Sequence, residues 1–299
     1  MNSKIIATML SISLAYSMSA CSNTATESTS TATPATEPTH QISVPQTPEF
    51  EDITLVDNDN CTIRITGIQP DNLWGYTLQV FMENKTDLDL MFSANDVSVN
   101  GFMCDPFWAT TVTAGMKAND EISFSSANFE ANKITDVTEI EMELHVYDTN
   151  NWTADRIVDE IFTIYPMGEE AVKPYVRANL SEETVLFDNE NCAMIVTGFE
   201  PDHPFGYAVH VYLENKTENS LMFSTSDVSV NGYMCDPFWA TEIAAGKRSN
   251  TTITWSGDSF AENGITIVEN VKLPIRVYDA DNWNNKDLIA DTFTLIPQE

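Results

Sequence analysis

Basic residues are scarce in this 299-residue chain. Lys and Arg total 14 against 45 Asp and Glu, a net charge of −31. With no basic cluster to offset it, that balance argues against nucleic acid and anionic membrane surfaces as partners. Cationic ligands and divalent ions stay open, beside the plain reading of an acidic solvated surface. Histidine is scarcer still, with four residues. Catalytic signatures are missing: there is no Gly-x-Ser-x-Gly elbow, no phosphate loop and no HExxH. Nothing points to an enzyme or to a cofactor. The apolar run Ile5–Tyr16 is too short for a permanent membrane span. No convincing amphipathic helical period occurs downstream, which leaves a strand-built fold.

What is present is a repeat. The stretch from Asp96 to Thr110, D-V-S-V-N-G-F-M-C-D-P-F-W-A-T, returns from Asp227 to Thr241 with fourteen of fifteen positions identical. The exception is Phe102, which becomes Tyr233. The offset of 131 also maps Cys61 to Cys192, Trp152 to Trp283 and Pro166 to Pro297. Leu55–Pro166 aligns with Leu186–Pro297 without a gap. The expected organisation is residues 1–20, 21–48, a first repeat over 49–166, a linker over 167–182 and a second repeat over 183–299. No histidine is shared by the two repeats, so none is a repeated catalytic base.

The N-terminus reads as an export signal. Lys4 precedes the short apolar run, and Ser17-Met18-Ser19-Ala20-Cys21 follows it. Small residues before a cysteine resemble a bacterial lipobox. The resemblance implies cleavage of residues 1–20 as a lipoprotein signal peptide and a lipid on Cys21, with Met18 where Leu is usual. Residues 22–48 are rich in Ser, Thr, Ala and Pro. They hold too little apolar surface to offset conformational entropy, and read as a disordered tether. The implied location is the outer face of the cell membrane, with Cys21 as the membrane contact.

Each repeat alternates with period two. Ile140, Met142, Leu144 and Val146 form one face, repeated as Val271, Leu273, Ile275 and Val277. Tyr76, Leu78, Val80 and Met82 form another, repeated as Tyr207, Val209, Val211 and Leu213. Pro274 on the outer face of its strand suggests an edge or a bulge. Asn100-Gly101 and Asn231-Gly232 supply the positive φ of a type I′ hairpin turn. Seven to nine short strands per unit point to an all-β fold: two tandem immunoglobulin-like antiparallel β-sandwich domains.

The E-N-K-T at Glu83 and Glu214, the L-M-F-S at Leu90 and Leu221, and the N-G-[FY]-M-C-D-P-F-W segments carry a family resemblance. The region resembles immunoglobulin-like domains of uncharacterised lipoproteins of Gram-positive, Clostridia-type bacteria. That resemblance implies a fold and a location, and no activity.

Beyond Cys21, two cysteines fall in each repeat. Three pairings are open; repetition favours Cys61–Cys104 and Cys192–Cys235 disulfides, which an exported location permits. Zinc and buried free thiols are the rivals. Trp108, Trp152, Trp239 and Trp283, with Asp105 and Asp236, are candidate ligand-binding residues if exposed; otherwise the Trp residues are core. Asp57, Asp59, Asp188 and Glu190 are weak calcium candidates in turns that Asp and Asn also fill for backbone reasons. The leading expectation is a lipid-anchored extracytoplasmic binding protein acting on an envelope protein or an extracellular ligand. A carbohydrate-binding protein using the Trp faces and a structural spacer are the alternatives.

Overall fold

The computed structural model describes residues 50–297 except 152, 179–181 and 283. Residues 1–20, the stretch 21–48 with Cys21, and Trp152 and Trp283 therefore lie outside the described residues. The chain is mainly β, with several antiparallel sheets and few helices. No described helix is long and apolar enough to cross a membrane.

The first repeat runs β1 (Ile53–Asp57), β2 (Cys61–Asn72), β3 (Gly75–Asn84), β4 (Leu90–Val99), β5 (Phe102–Met103), β6 (Ala109–Val112), β7 (Lys117–Phe124), α1 (Ser126–Ala131), β8 (Ile140–Asp148) and β9 (Val158–Ile164). The second runs β10 (Thr184–Asp188), β11 (Cys192–His203), β12 (Gly206–Asn215), β13 (Leu221–Thr225), β14 (Ser229–Val230), β15 (Tyr233–Met234), β16 (Ala240–Ile243), β17 (Arg248–Ser256), α2 (Gly257–Glu262), β18 (Val271–Asp279) and β19 (Ile289–Leu295). At the 131-residue shift the elements correspond one for one, except that β4 is matched by β13 and β14 together. The break falls after Thr225, next to Asp227, which like Asp96 has positive φ (58° and 47°).

In each repeat one antiparallel sheet has the order β1-β2-β3-β7 or β10-β11-β12-β17. A second is built on β4-β8-β9 or its equivalents, with the short hairpin strands beside it. The period-two faces read from sequence are the buried ones: Ile140, Met142, Leu144 and Val146 are at most 1% exposed, and their counterparts match them. Side chains of both sheets join one buried cluster per repeat. Pro274 sits in a central strand, between β13 and β19, and not at an edge. It falls opposite the gap between β13 and β14, where no partner asks for its missing N–H. The α1 and α2 turns escaped the sequence reading because six residues are too few to display a 3.6 period. Ser125 and Ser256 cap them through their side chains.

The expected disulfides are corrected by the fold. Cys61, Cys104, Cys192 and Cys235 are buried free thiols. Cys61 pairs with Asn84, whose side chain bonds the Leu88 and Val112 carbonyls near the start of β4. Cys104 donates its backbone N–H to Val97, near the other end of β4. That separation along the strand is roughly 20 Å at about 3.3 Å per residue, whereas bridged cysteines need Cα atoms about 4.4–6.8 Å apart. Cys192 and Cys235 are placed the same way by Asn215 and Val228. Hydrogen bonding, not a bridge, fixes the hairpin to the body of the repeat: Asn100 Oδ1 accepts from the N–H groups of Thr138 and Glu139 at 2.9 and 3.1 Å, and its Nδ2 donates to Asp136. Asn231 repeats this with Glu269, Asn270 and Ile267. Thus the Asn-Gly hairpin is anchored by its own turn residue.

Candidate functional site

The repeated loop after the hairpin sorts its side chains by direction. Asn100 and Gly101 both have positive φ, as a type I′ turn requires. The chain then buries Cys104, and Asp105 Oδ1 accepts the Phe107 N–H at 2.8 Å, a tight Asx turn. Phe107 is thereby held at φ 52°, and Phe238 takes φ 50° at the same point of the second copy. Both rings are almost wholly exposed, at 91% and 102%. The next residue goes the other way: Trp108 and Trp239 are 8% and 9% exposed. These two Trp residues are core, so neither offers a stacking face for a sugar. Asp236 serves its loop differently from Asp105, accepting the Val228 N–H at 2.7 Å.

The structure therefore brings Asp105 and Trp108, and Asp236 and Trp239, into the right loops and gives the exposed position to the phenylalanines between them. Sequence reasoning also missed the tips of the β2–β3 and β11–β12 hairpins. Leu73 and Trp74 are 88% and 69% exposed there, and Phe205, the counterpart of Trp74, is 76% exposed. Gly75 closes the first tip at φ 103°, and a Cβ on it would come within 2.1 Å of the Phe124 carbonyl oxygen. A bulky aromatic just before an obligatory glycine was the available signal.

The calcium candidates already have a cation beside them. Lys85 Nζ donates to Asp57 at 2.7 Å and to the Asn58 carbonyl, while Asn58 Oδ1 accepts from the Asn60 and Cys61 backbones. Lys216 repeats this with Asp188 and Asn189. Hydrogen bonding from Lys85, then from Thr62, holds the Asp57 carboxyl below its ordinary value. Asp59 and Glu190 are exposed in the same turns. The lysine of each E-N-K-T motif is thus the partner of the acidic turn.

One mixed cluster has metal-ligand chemistry. Glu143, His145 and Asp159 bring one ligand atom each within 4.8 Å of one another. Arg156 Nη1 lies in that space, 2.7 Å from His145 Nε2 and 2.6 Å from Asp159 Oδ1. In the second repeat the four positions hold Pro274, Arg276, Ala290 and Asp287, and Arg276 pairs doubly with Asp287 at 2.9 Å. The ligand set is not repeated: the first repeat pairs Arg156 with Asp159, three residues apart, and the second pairs Arg276 with Asp287.

A cavity of about 890 Å³ lies between the repeats, lined in part by Asn132, Tyr175, Arg177, His210, Tyr212 and Asn250. The linker is part of its wall: Tyr175 meets Phe102 edge-on, and Arg177 lies over the Tyr212 ring.

No family model matches the chain, and no curated protein does. Among solved structures, it aligns with the CsuC–CsuE chaperone–tip adhesion subunit pre-assembly complex from archaic chaperone-usher Csu pili of Acinetobacter baumannii. The alignment covers 75% of this chain and 92% of that chain, at 12% identity and a TM-score of 0.21. A score that low carries no argument about fold or function.

Proposed function

We propose that the chain is a lipid-anchored extracytoplasmic binding protein, displaying two immunoglobulin-like β-sandwich modules outside the membrane on a tether from Cys21. Its partner is an envelope protein or an extracellular ligand. One observation carries the reading: Phe107 and Phe238 stand almost fully exposed on left-handed backbones at the same point of both repeats. A non-glycine residue in that region costs on the order of 1 kcal/mol, and an aromatic ring in water returns nothing to folding. A conformation with that cost, present twice, is accounted for by a surface those rings meet.

The lipobox-like run and the Ser/Thr/Pro stretch support the anchored location. The spacer alternative gives the two exposed rings no role, and the carbohydrate alternative loses Trp108 and Trp239 as stacking faces. The test uses the chain from residue 21 with Cys21→Ser, immobilised and exposed to solubilised native envelope and to a glycan panel. Replacing both Phe107 and Phe238 by Ala is expected to leave the melting temperature within a few degrees and to abolish specific retention. Retention equal to that of the parent chain would overturn the proposal.

A further inference from the structure

The contact between the two repeats joins unlike surfaces. The first repeat contributes its Asn-Gly hairpin and the residue after α1. Gly101 accepts the Arg248 N–H at 3.1 Å, and Phe102 and Arg248 form a parallel bridge between β5 and β17. Asn132 Oδ1 accepts from the backbone and side chain of Asn250 at 3.0 and 3.2 Å. Glu141 pairs with Lys247 at 2.7 Å. The second repeat contributes the β17 edge and the outward face of its sheet, where Ile195 and Tyr212 are buried with the first repeat's core. Phe102 is 5% exposed in consequence.

Because the repeats are equivalent, each half of this contact exists twice. The second repeat carries the hairpin half as Asn231, Gly232, Tyr233 and Met234, with Asn263 in the place of Asn132. Here nothing described covers it: Tyr233 is 51% exposed and Met234 61%. The first repeat carries the edge half on β7, the outermost strand of its sheet, where Lys117 and Asn119 stand for Arg248 and Asn250. Phe81 stands for Tyr212, and Arg64 lies over its ring at 4.6 Å, as Arg177 lies over Tyr212 at 4.6 Å.

We infer that the partner of these two leftover surfaces is a second copy of this chain: the Tyr233 hairpin of one copy docks on the β7 edge of the next. Such a contact is heterologous, and it does not close on itself unless a rotation happens to close a ring, so copies add head to tail. Backbone addition at an open edge with an aromatic side chain beside it is a familiar recognition mode. Three parts of the internal contact are missing from the external one. At the 131-residue offset Val44 and Gln46 stand for the linker's Tyr175 and Arg177, Arg64 stands for Ile195, and the Glu141–Lys247 pair is replaced by Lys272 and Met116. The association is therefore weaker than the internal contact, and added salt strengthens it by screening the acidic chains from one another.

Sedimentation velocity on the chain from residue 21 with Cys21→Ser tests this up to roughly millimolar protein, at low and high salt. The parent chain is expected to grow past dimer as its concentration rises, more so at high salt. Tyr233→Asp removes the hairpin half and Lys117→Glu the edge half; both residues are exposed, and an unchanged melting temperature shows that each variant folds. Each alone is expected to stay monomeric. Their equimolar mixture is expected to stop at dimer, because each supplies the half the other lacks. A parent chain that stays monomeric throughout, or variants that still grow alone, would overturn the inference.

Discussion

Trp108 and Trp239 occupy the same buried position but do not share a hydrogen bond. Trp108 Nε1 donates to Asp120 at 3.0 Å, whereas Thr251 stands at the equivalent place in the second repeat and Trp239 Nε1 is buried without a partner. A buried donor left unpaired costs about 1–3 kcal/mol. Asp120→Thr is therefore expected to destabilise the first repeat by about that amount in urea unfolding; no measurable loss would show that the indole finds another acceptor. The cysteines make a second residue-scale case. Burial pushes the Cys61, Cys104 and Cys192 thiols up to about 11, so little thiolate is present near neutral pH. Alkylation without reductant is expected to leave them and Cys235 untouched in the native protein, and to modify all four once denaturant is added. Failure of any pair to react after unfolding would mean a bridge. Sequence could not decide this, because a repeated pair of cysteines in an exported chain looks the same whether the fold places the two together or at opposite ends of a strand.

Among the elements, the strands were the most legible part of the chain. Alternation in β18 maps directly onto buried and wet faces, and β8 follows it except at the buried His145, while Asn-Gly gives its turn without help from tertiary structure. The loop after it was less legible. Phe and Trp are both large and apolar, and which one faces inward is set by the space beside β7, which is not local in sequence. The E-N-K-T motif is a similar case, since its lysine reaches back to a turn 28 residues earlier. Asp57 has its carboxyl held below 3.8 by Lys85. A depressed carboxyl adds stability above its ordinary value and loses it as pH falls through the folded value. Lys85→Met is accordingly expected to lower the melting temperature at neutral pH, with the difference from the parent chain vanishing at pH below 3.8. A difference that persists unchanged in acid would assign the effect to packing of the lysine stem instead.

For the whole molecule, the seam between the repeats is acidic, in a chain that already carries −31. Burial raises Asp96, and Glu143, Asp105 and Asp281 raise it further, with His145 acting in the opposite sense. Burial likewise raises Glu242, followed by Asp96, Asp281 and Glu143. A carboxyl raised in the folded state binds its proton more tightly there, so the stability it withholds at neutral pH returns as pH falls through the folded value. The return is complete below the ordinary values of 3.8 for Asp96 and 4.5 for Glu242. Asp96→Asn removes one of these charges and suits the positive φ at that position. It is expected to raise the melting temperature by a few degrees at neutral pH and to flatten the gain seen on acidification. A lower melting temperature would show that the Asp96 charge has a partner that this arrangement overlooks. The seam itself was out of reach of the sequence: the alignment shows that two units exist, but which surface of one meets the other depends on side chains far apart in the chain.

The claim that the two exposed phenylalanines are the contact surface is tested most directly on cells. Photoreactive benzoyl-phenylalanine placed at position 107 or at 238 of the full-length chain, followed by irradiation, is expected to trap the same adduct from both sites. The same group at Ile161, which is 65% exposed on β9, is expected to trap nothing specific. Absence of an adduct from both loops, or equal trapping from Ile161, would contradict the account.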